Sequence, residues 1–130
     1  MQKKKIAFIG AGNMAHSLIG GLIHNQYQPD LIFASDPSIE RLTHLREHYG
    51  IHISQNNRDV IAKADIVIFA VKPQILSAVI EELSDDLQNL RPLVISIAAG
   101  IRTHYISDCI GHSLSIIRCM PNTPALLQAG

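Results

Sequence analysis

The sequence predicts an α/β fold, in which a single domain contains a doubly wound parallel sheet. Short apolar runs alternate with amphipathic stretches along the chain, and this alternation is typical of βαβ units. The run at residues 66–71 is apolar at consecutive positions, so a strand there needs cover on both faces. A chain of 130 residues is long enough for one such core and too short for two ordinary domains.

The apolar runs predict the strands, in the order 3-2-1-4-5-6 that is typical of this fold class. We expect strands at residues 6–9, 31–34, 51–53, 66–71, 93–99 and 114–117. The third run is the weakest of these, and the fourth is the best candidate for the neighbour of the first.

Helical spacing of apolar residues predicts the helices between those strands. We expect them at residues 14–23, 39–49, 57–63, 74–83 and 103–110. Pro29 lies in the segment that ends the first helix, and Gly50 is expected to stop the second.

Composition excludes several classes of partner. Eleven basic and eleven acidic side chains give no net charge, so we expect no nucleic-acid partner and no anionic membrane surface. Two cysteines, Cys109 and Cys119, are too few for a disulfide framework, which fits a reducing cytoplasm. No apolar run approaches the roughly 18 residues that a membrane helix needs.

A glycine-rich turn follows the first predicted strand. The segment Gly10-Ala11-Gly12-Asn13-Met14-Ala15 has the G-x-G-x-x-A spacing and precedes a helical pattern. In that context Gly10 permits a tight reversal, Gly12 lets a pyrophosphate approach the backbone, and Ala15 allows close packing of helix on strand. The first-turn N–H groups of the helix would meet the phosphates. The sequence therefore predicts a Rossmann-type dinucleotide site.

Asp36 stands at the end of the second predicted strand, where the adenosine ribose lies in this fold. Its carboxylate could accept hydrogen bonds from the ribose, which favours NAD. Alternatively, the nearby Arg41 could pair with a 2′-phosphate, which favours NADP. A third, purely structural interpretation is that Asp36 and Ser38 cap the helix that starts at Ile39.

Three further turns lie at the same edge of the predicted sheet. Ala70-Val71-Lys72-Pro73 ends the fourth strand, and Lys72 there either reaches a cofactor phosphate or ribose or is simply solvated. The small residues 96–100 end the fifth strand and leave room for a flat ring. Residues 120–124 follow the sixth. Together they are predicted to surround the nicotinamide half of the cofactor.

A histidine pair on the second helix matches a metal-binding pattern. His44-Leu45-Arg46-Glu47-His48 has the H-x-x-E-H spacing of inverted zincins. Because the apolar positions of this helix should face the sheet, both histidines should face water. The remaining histidines, His16 among them, lack ligand spacing and are expected at the surface, so we predict no metal site.

These segments, in this order, resemble pyrroline-5-carboxylate reductase, an enzyme family that makes proline by reducing a cyclic imine with a nicotinamide cofactor. The resemblance covers nearly the whole chain and rests on residues 8–14, 70–73, 96–100 and 118–124. It implies NADP as the cofactor, because members usually prefer NADPH. NAD is also possible, because members often have a neutral residue where this chain has the acidic Asp36. It also implies these cofactor contacts: Ile9, Gly10, Ala11, Gly12, Asn13, Met14, Asp36, Asn57, Ala70, Val71, Lys72, Pro73, Ile97, Ala98 and Ala99.

The resemblance further implies an all-helical C-terminal domain that builds the homo-oligomer and holds the substrate, a cyclic imino acid. That domain is absent from residues 1–130, so we expect this chain to be a dinucleotide-binding domain whose catalytic residues lie elsewhere. Alone it should bind dinucleotide weakly and turn over negligibly. Two other functions stay open: the cofactor domain of a 3-hydroxy acid dehydrogenase, and a non-catalytic dinucleotide-binding regulatory module.

Overall fold

A computed structural model describes residues 4–97 and 116–118 of the chain. In these residues six parallel strands form one sheet in the order β3-β2-β1-β4-β5-β6, which confirms the predicted order. The elements are β1 (Ile6–Ile9), α1 (Asn13–His24), β2 (Ile32–Ser35), α2 (Ile39–Tyr49), β3 (His52–Ser54), α3 (Asn57–Ile61), β4 (Ile66–Phe69), α4 (Pro73–Leu90), β5 (Leu93–Ser96) and β6 (Ile116–Arg118). A short 3-10 turn at Pro29–Leu31 leads into β2.

The central strand β1 is buried on both of its faces, as is typical of a doubly wound sheet, whereas β4, for which this cover was predicted, alternates buried and partly buried residues. Successive side chains of a strand point to opposite faces. Accordingly, Ala7 and Ile9 join a core cluster that includes residues of α3 and α4, whereas Ile6 and Phe8 join one that includes residues of α1 and α2. The two cores hold the helices against the sheet and so fix where the loops at its carboxyl edge lie.

Local signals set the ends of the helices. The Ser38 hydroxyl accepts a hydrogen bond from the Arg41 N–H at 3.3 Å and caps α2, which Gly50 ends in a left-handed conformation with φ of 76°. Pro73 is the first residue of α4, where its missing N–H costs no hydrogen bond.

Several element boundaries differ from the prediction. β4 ends at Phe69, before residue 71, because the chain turns there toward Pro73. α4 continues beyond residue 83 to Leu90, since the buried positions Leu76, Ile80, Leu83 and Leu87 extend one helical stripe. β5 ends at Ser96, and β2, β3 and β6 are each shifted by about one or two residues. The predicted helix at 103–110 lies outside the described residues.

An ion pair ties α3 to α4. Arg58 donates from Nε to the Asp86 carboxylate at 2.7 Å and from Nη2 to the Glu82 carbonyl at 3.1 Å. The hydrogen bond and the charge of Asp86 raise the pKa of the Arg58 guanidinium. The contact helps to position the short helix α3, on which Asn57 lies.

Among the described residues, no helix combines the length and the apolar character that crossing a membrane requires.

Candidate dinucleotide-binding site

Gly10 joins the ends of three strands. Its N–H donates to the Ser35 carbonyl of β2 at 2.8 Å, and the Ala70 N–H after β4 donates to the Ile9 carbonyl at 2.8 Å. Gly10 has φ of +109°, and a Cβ there would lie 2.6 Å from the Ala70 carbonyl oxygen. The first glycine of the motif is therefore required by the protein's own backbone.

Gly12 lies in open space, in contrast to Gly10. A Cβ there would have Arg41 Nη1, at 3.9 Å, as its nearest neighbour. Gly12 is also the N-cap residue of α1, and no side chain caps this helix. Because the first-turn N–H groups of a helix have no intrahelical acceptor, α1 presents donors and a positive dipole end to this space. These features fit the pyrophosphate of a dinucleotide.

Asp36 stabilises the glycine turn through a hydrogen bond to its backbone. Its side chain accepts hydrogen bonds from the Ala11 N–H at 2.8 Å and from the Ser38 N–H at 2.8 Å, and the residue is only 7% exposed. Arg41 Nη1 lies 3.9 Å from the same carboxylate, with 61% of the Arg41 side chain exposed. Sequence reasoning anticipated that Ser38 would cap α2, but it missed both of these hydrogen bonds, including the one to Ala11, which joins residues far apart in the chain.

We expect Asp36→Asn to lower the free energy of unfolding by about 1–3 kcal/mol, because one backbone N–H loses its acceptor and faces an amide NH₂. Urea denaturation of the unliganded protein measures the change. Asp30→Asn is the matched control, since Asp30 is exposed and lies in the 3-10 turn. An Asp36→Asn protein as stable as the control would contradict a supporting role for the carboxylate.

Ser35 and Asn57 form a polar pair beside this loop. The buried Ser35 hydroxyl donates to Asn57 Oδ1 at 2.6 Å. Because that bond occupies the amide oxygen, the Asn57 NH₂ group is the part of the side chain that remains as a donor. Asn57 is thus oriented by β2 although it belongs to α3.

The loop after β4 forms the opposite wall. Lys72 is exposed and serves as the N-cap residue of α4, where its carbonyl accepts from the Ile75 N–H at 2.9 Å. Ile97, which follows β5, is 5% exposed and donates its N–H to the Phe69 carbonyl at 3.2 Å.

One cavity of about 1410 Å³ brings these residues together. It is lined by every predicted contact residue in the described range: Ile9, Gly10, Ala11, Gly12, Asn13, Met14, Asp36, Asn57, Ala70, Val71, Lys72, Pro73 and Ile97. Its volume exceeds the range of about 300–1,000 Å³ usual for small-molecule sites, which suits a long ligand such as a dinucleotide. The predicted contacts Ala98 and Ala99 lie outside the described residues.

The lining includes residues that the sequence analysis did not assign to the cofactor. His16 and His44 lie on the α1 and α2 side, and Ile75, Val79 and Glu82 lie along α4. Spacing from the glycine motif could have indicated that His16 lines the site, because Gly12 lies four positions earlier and residues three or four apart share one helix face.

Three histidines from two helices meet beside the cavity. The ring centroids of His16, His44 and His48 are 5.4 to 5.9 Å apart, and Tyr49 contacts His16 at 5.2 Å. His44 and His48 are exposed, as predicted. His16, expected at the surface, is partly buried, because α2 packs against it. Burial, followed by the charges of His44 and His48, lowers the pKa of His16.

Within residues 4–97, no group of three or more histidine, cysteine or carboxylate side chains is arranged to hold a metal ion. The three rings stack or tilt against one another instead.

Known proteins resemble this chain along its whole length. It is 43% identical to a pyrroline-5-carboxylate reductase of Pseudomonas aeruginosa over 130 residues, which are 100% of this chain and 47% of that protein. A solved pyrroline-5-carboxylate reductase of Coxiella burnetii is 40% identical with a TM-score of 0.86, over 89% of this chain and 43% of that one. The chain spans about half the length of the curated relatives it matches.

A second solved structure is described with NADP bound. It is the pyrroline carboxylate reductase of Plasmodium falciparum, 26% identical with a TM-score of 0.79, over 98% of this chain and 45% of that one. A family model described as NADP oxidoreductase coenzyme F420-dependent matches residues 5–100. The match includes the glycine turn, Asp36, Asn57 and the loop after β4, so this chain belongs to the NADP oxidoreductase coenzyme F420-dependent family.

Proposed function

We propose that residues 1–130 are the dinucleotide-binding domain of a pyrroline-5-carboxylate reductase, which reduces 1-pyrroline-5-carboxylate to L-proline with NADPH. The observation that carries this proposal is that one cavity, among the described residues, is lined both by the glycine turn and by the ends of β2, β4 and β5. Similarity to pyrroline-5-carboxylate reductases, which extends along this chain and covers about half of theirs, supports the choice of reaction.

The reaction requires a hydride donor, and the reduced nicotinamide of the bound cofactor would supply it to the C=N carbon. The contribution of this chain is to bind and orient. The glycine turn and the first turn of α1 would hold the pyrophosphate, Asn57 and Asp36 would lie toward the adenosine side, and Lys72 and Ile97 would line the other side. Such positioning can supply roughly 7–11 kcal/mol of a barrier once the second reactant is also held.

The substrate, a cyclic imino acid, would be held by the all-helical domain that the resemblance implies, and the same domain would build the homo-oligomer. Residues 1–130 alone would therefore bind dinucleotide and form proline negligibly. The proposed location is the cytoplasm, with no nucleic acid or membrane among the partners.

The exposed positive charge of Arg41, on the side of the cavity proposed for the ribose, favours NADPH over NADH. Asp36 is largely buried and already accepts two backbone N–H groups, whereas the Arg41 guanidinium is mostly exposed above Gly12. A phosphate is a better partner for an exposed guanidinium than a ribose hydroxyl is. We therefore assign the 2′-phosphate to Arg41.

Titration of the purified chain with NADPH and NADH tests this assignment. The wild type should bind NADPH more tightly, and Arg41→Gln should weaken NADPH binding by about tenfold, or about 1.4 kcal/mol, because a charge-assisted pair is lost. Affinity for NADH should change by less than about twofold, because the exposed ion pair of Arg41 with Asp36 contributes little.

Arg46→Gln is the matched control, because Arg46 lies on the same helix but does not line the cavity. It should leave both affinities unchanged. A wild type that prefers NADH would instead support Asp36 as a ribose acceptor, and no binding of either cofactor would contradict the proposed function.

A further inference from the structure

The histidines of α1 and α2 lie where added positive charge would act on the adenosine end of the ligand. His16 and His44 line the cavity together with Gly12 and Arg41, and His48 packs against both rings outside it. His44 follows Arg41 by three positions, so the two side chains share one face of α2. The cluster thus borders the side of the cavity that we assign to the 2′-phosphate.

The proposed NADPH-binding function of this chain is the basis of the inference. We propose that His16 and His44, supported by His48, form a second cationic contact for the 2′-phosphate of NADPH, one that strengthens as the pH falls. Arg41 provides a permanent charge, and the imidazoles provide a charge that depends on proton uptake from solvent.

In the unliganded protein, His16 lacks the positive charge that the proposed phosphate contact needs. Burial and the neighbouring imidazoles lower the pKa of His16, so this ring is neutral near pH 7 in the unliganded protein. An anion close to the cluster stabilises the protonated form and raises that pKa again. Binding of a phosphate at this point must therefore take up protons, and by linkage it becomes tighter as the pH falls.

Other charged groups near the cluster do not provide a similar dependence of phosphate binding on pH. The titratable groups that line the cavity or contact the rings are Asp36, Glu40, Arg41, Lys72, Glu82 and Tyr49, and Arg46 and Glu47 flank the pair on α2. Arginine, lysine and tyrosine keep one charge state between pH 6 and pH 8, as carboxylates ordinarily do. In this part of α1, His16 is the only titratable side chain.

The test compares the pH dependence of NADP⁺ and NAD⁺ binding by the wild type and by a His16→Gln/His44→Gln variant of the same chain, at pH 8.0 and pH 6.0. The preference for NADP⁺ should rise by about threefold more in the wild type than in the variant, as expected for one charge acting over several ångströms in water. The 2′-phosphate itself gains a proton near pH 6, which weakens NADP⁺ binding as the pH falls. This contribution is the same for both proteins, so the comparison between them removes it.

His24→Gln is the matched control, because His24 is an exposed histidine at the far end of α1. It should behave as the wild type does. EDTA in all samples prevents a metal ion on the imidazoles from contributing. Circular dichroism verifies that the double variant is folded, and the single variant His44→Gln, at an exposed position, provides a second test if it is not.

Calorimetry in two buffers of different ionisation enthalpy adds a direct readout. At pH 6.5 the wild type should take up more protons on binding NADP⁺ than the double variant does, with no such difference for NAD⁺. Parallel pH profiles and equal proton uptake would overturn the role of the histidines while leaving the proposed function intact. Failure of the wild type to bind either dinucleotide would overturn both.

Discussion

Gly10→Ala should lower the free energy of unfolding by about 3–5 kcal/mol, which is a large part of the stability of an ordinary domain. Two costs add at this position. The backbone is held at φ of +109°, which strains a residue with a Cβ, and that Cβ would lie 2.6 Å from the Ala70 carbonyl oxygen and 3.1 Å from Val71 Cγ1. The Ala70 backbone cannot move freely, because its N–H is hydrogen-bonded to the Ile9 carbonyl of β1.

Gly50→Ala separates these two costs. Gly50 also has a positive φ, of 76°, but a Cβ there would meet nothing within 4 Å. Its replacement should therefore cost only about 1 kcal/mol, the penalty for the left-handed backbone alone. Urea denaturation of both variants measures the difference. Equal losses of stability would show that the close approach of β1 to the loop after β4 contributes nothing.

Gly12→Val should abolish dinucleotide binding while leaving the fold intact. A Cβ at Gly12 has only Arg41 Nη1 within 4 Å, so the added side chain would extend into the volume that we assign to the pyrophosphate. We expect NADPH affinity to fall by a factor on the order of 100 or more, which corresponds to at least about 2.7 kcal/mol. Stability should fall by no more than about 1 kcal/mol, because valine is a poorer N-cap residue than glycine.

Gly12→Ala provides a graded comparison, because its single methyl group fills less of the same space. Its NADPH affinity should lie between those of the wild type and Gly12→Val. Fluorescence titration with NADPH measures binding, and urea denaturation without ligand measures the fold. A Gly12→Val protein that is folded and binds NADPH as the wild type does would place the pyrophosphate elsewhere.

Much of the architecture could be predicted because it depends on local patterns. The apolar runs predicted the strands and their order, and the Gly10 to Ala15 motif predicted the loop between β1 and α1. The boundary errors arose where local patterns are ambiguous. An apolar run does not show where hydrogen bonding to a neighbouring strand stops, so β4 and β5 were predicted too long.

The positions of the predicted cofactor contacts along the chain also indicated that they would meet. Each of them in the described range ends or follows a strand of a parallel sheet or lies at the start of a helix, and these ends share one edge. Their individual partners were not predictable in the same way. The bond from Ala11 to Asp36 and the pair of Ser35 with Asn57 depend on the distance between neighbouring strands, which no local pattern encodes.

Residue order and hydrophobic period were enough to indicate a Rossmann-type sheet and a glycine turn suited to a diphosphate, because both follow from short-range spacing. The oxidoreductase family was indicated by the resemblance of its motifs to those of a known family. Packing of α1 on α2 brought His16 to His44 and His48, and packing of β2 beside β1 turned Asp36 toward the glycine loop. Such contacts arise only when segments distant in the chain come within a few ångströms of each other. These contacts bury Asp36 and leave Arg41 exposed, which is why our proposal favours Arg41 as the partner of a 2′-phosphate, whereas the sequence had left both residues as candidates.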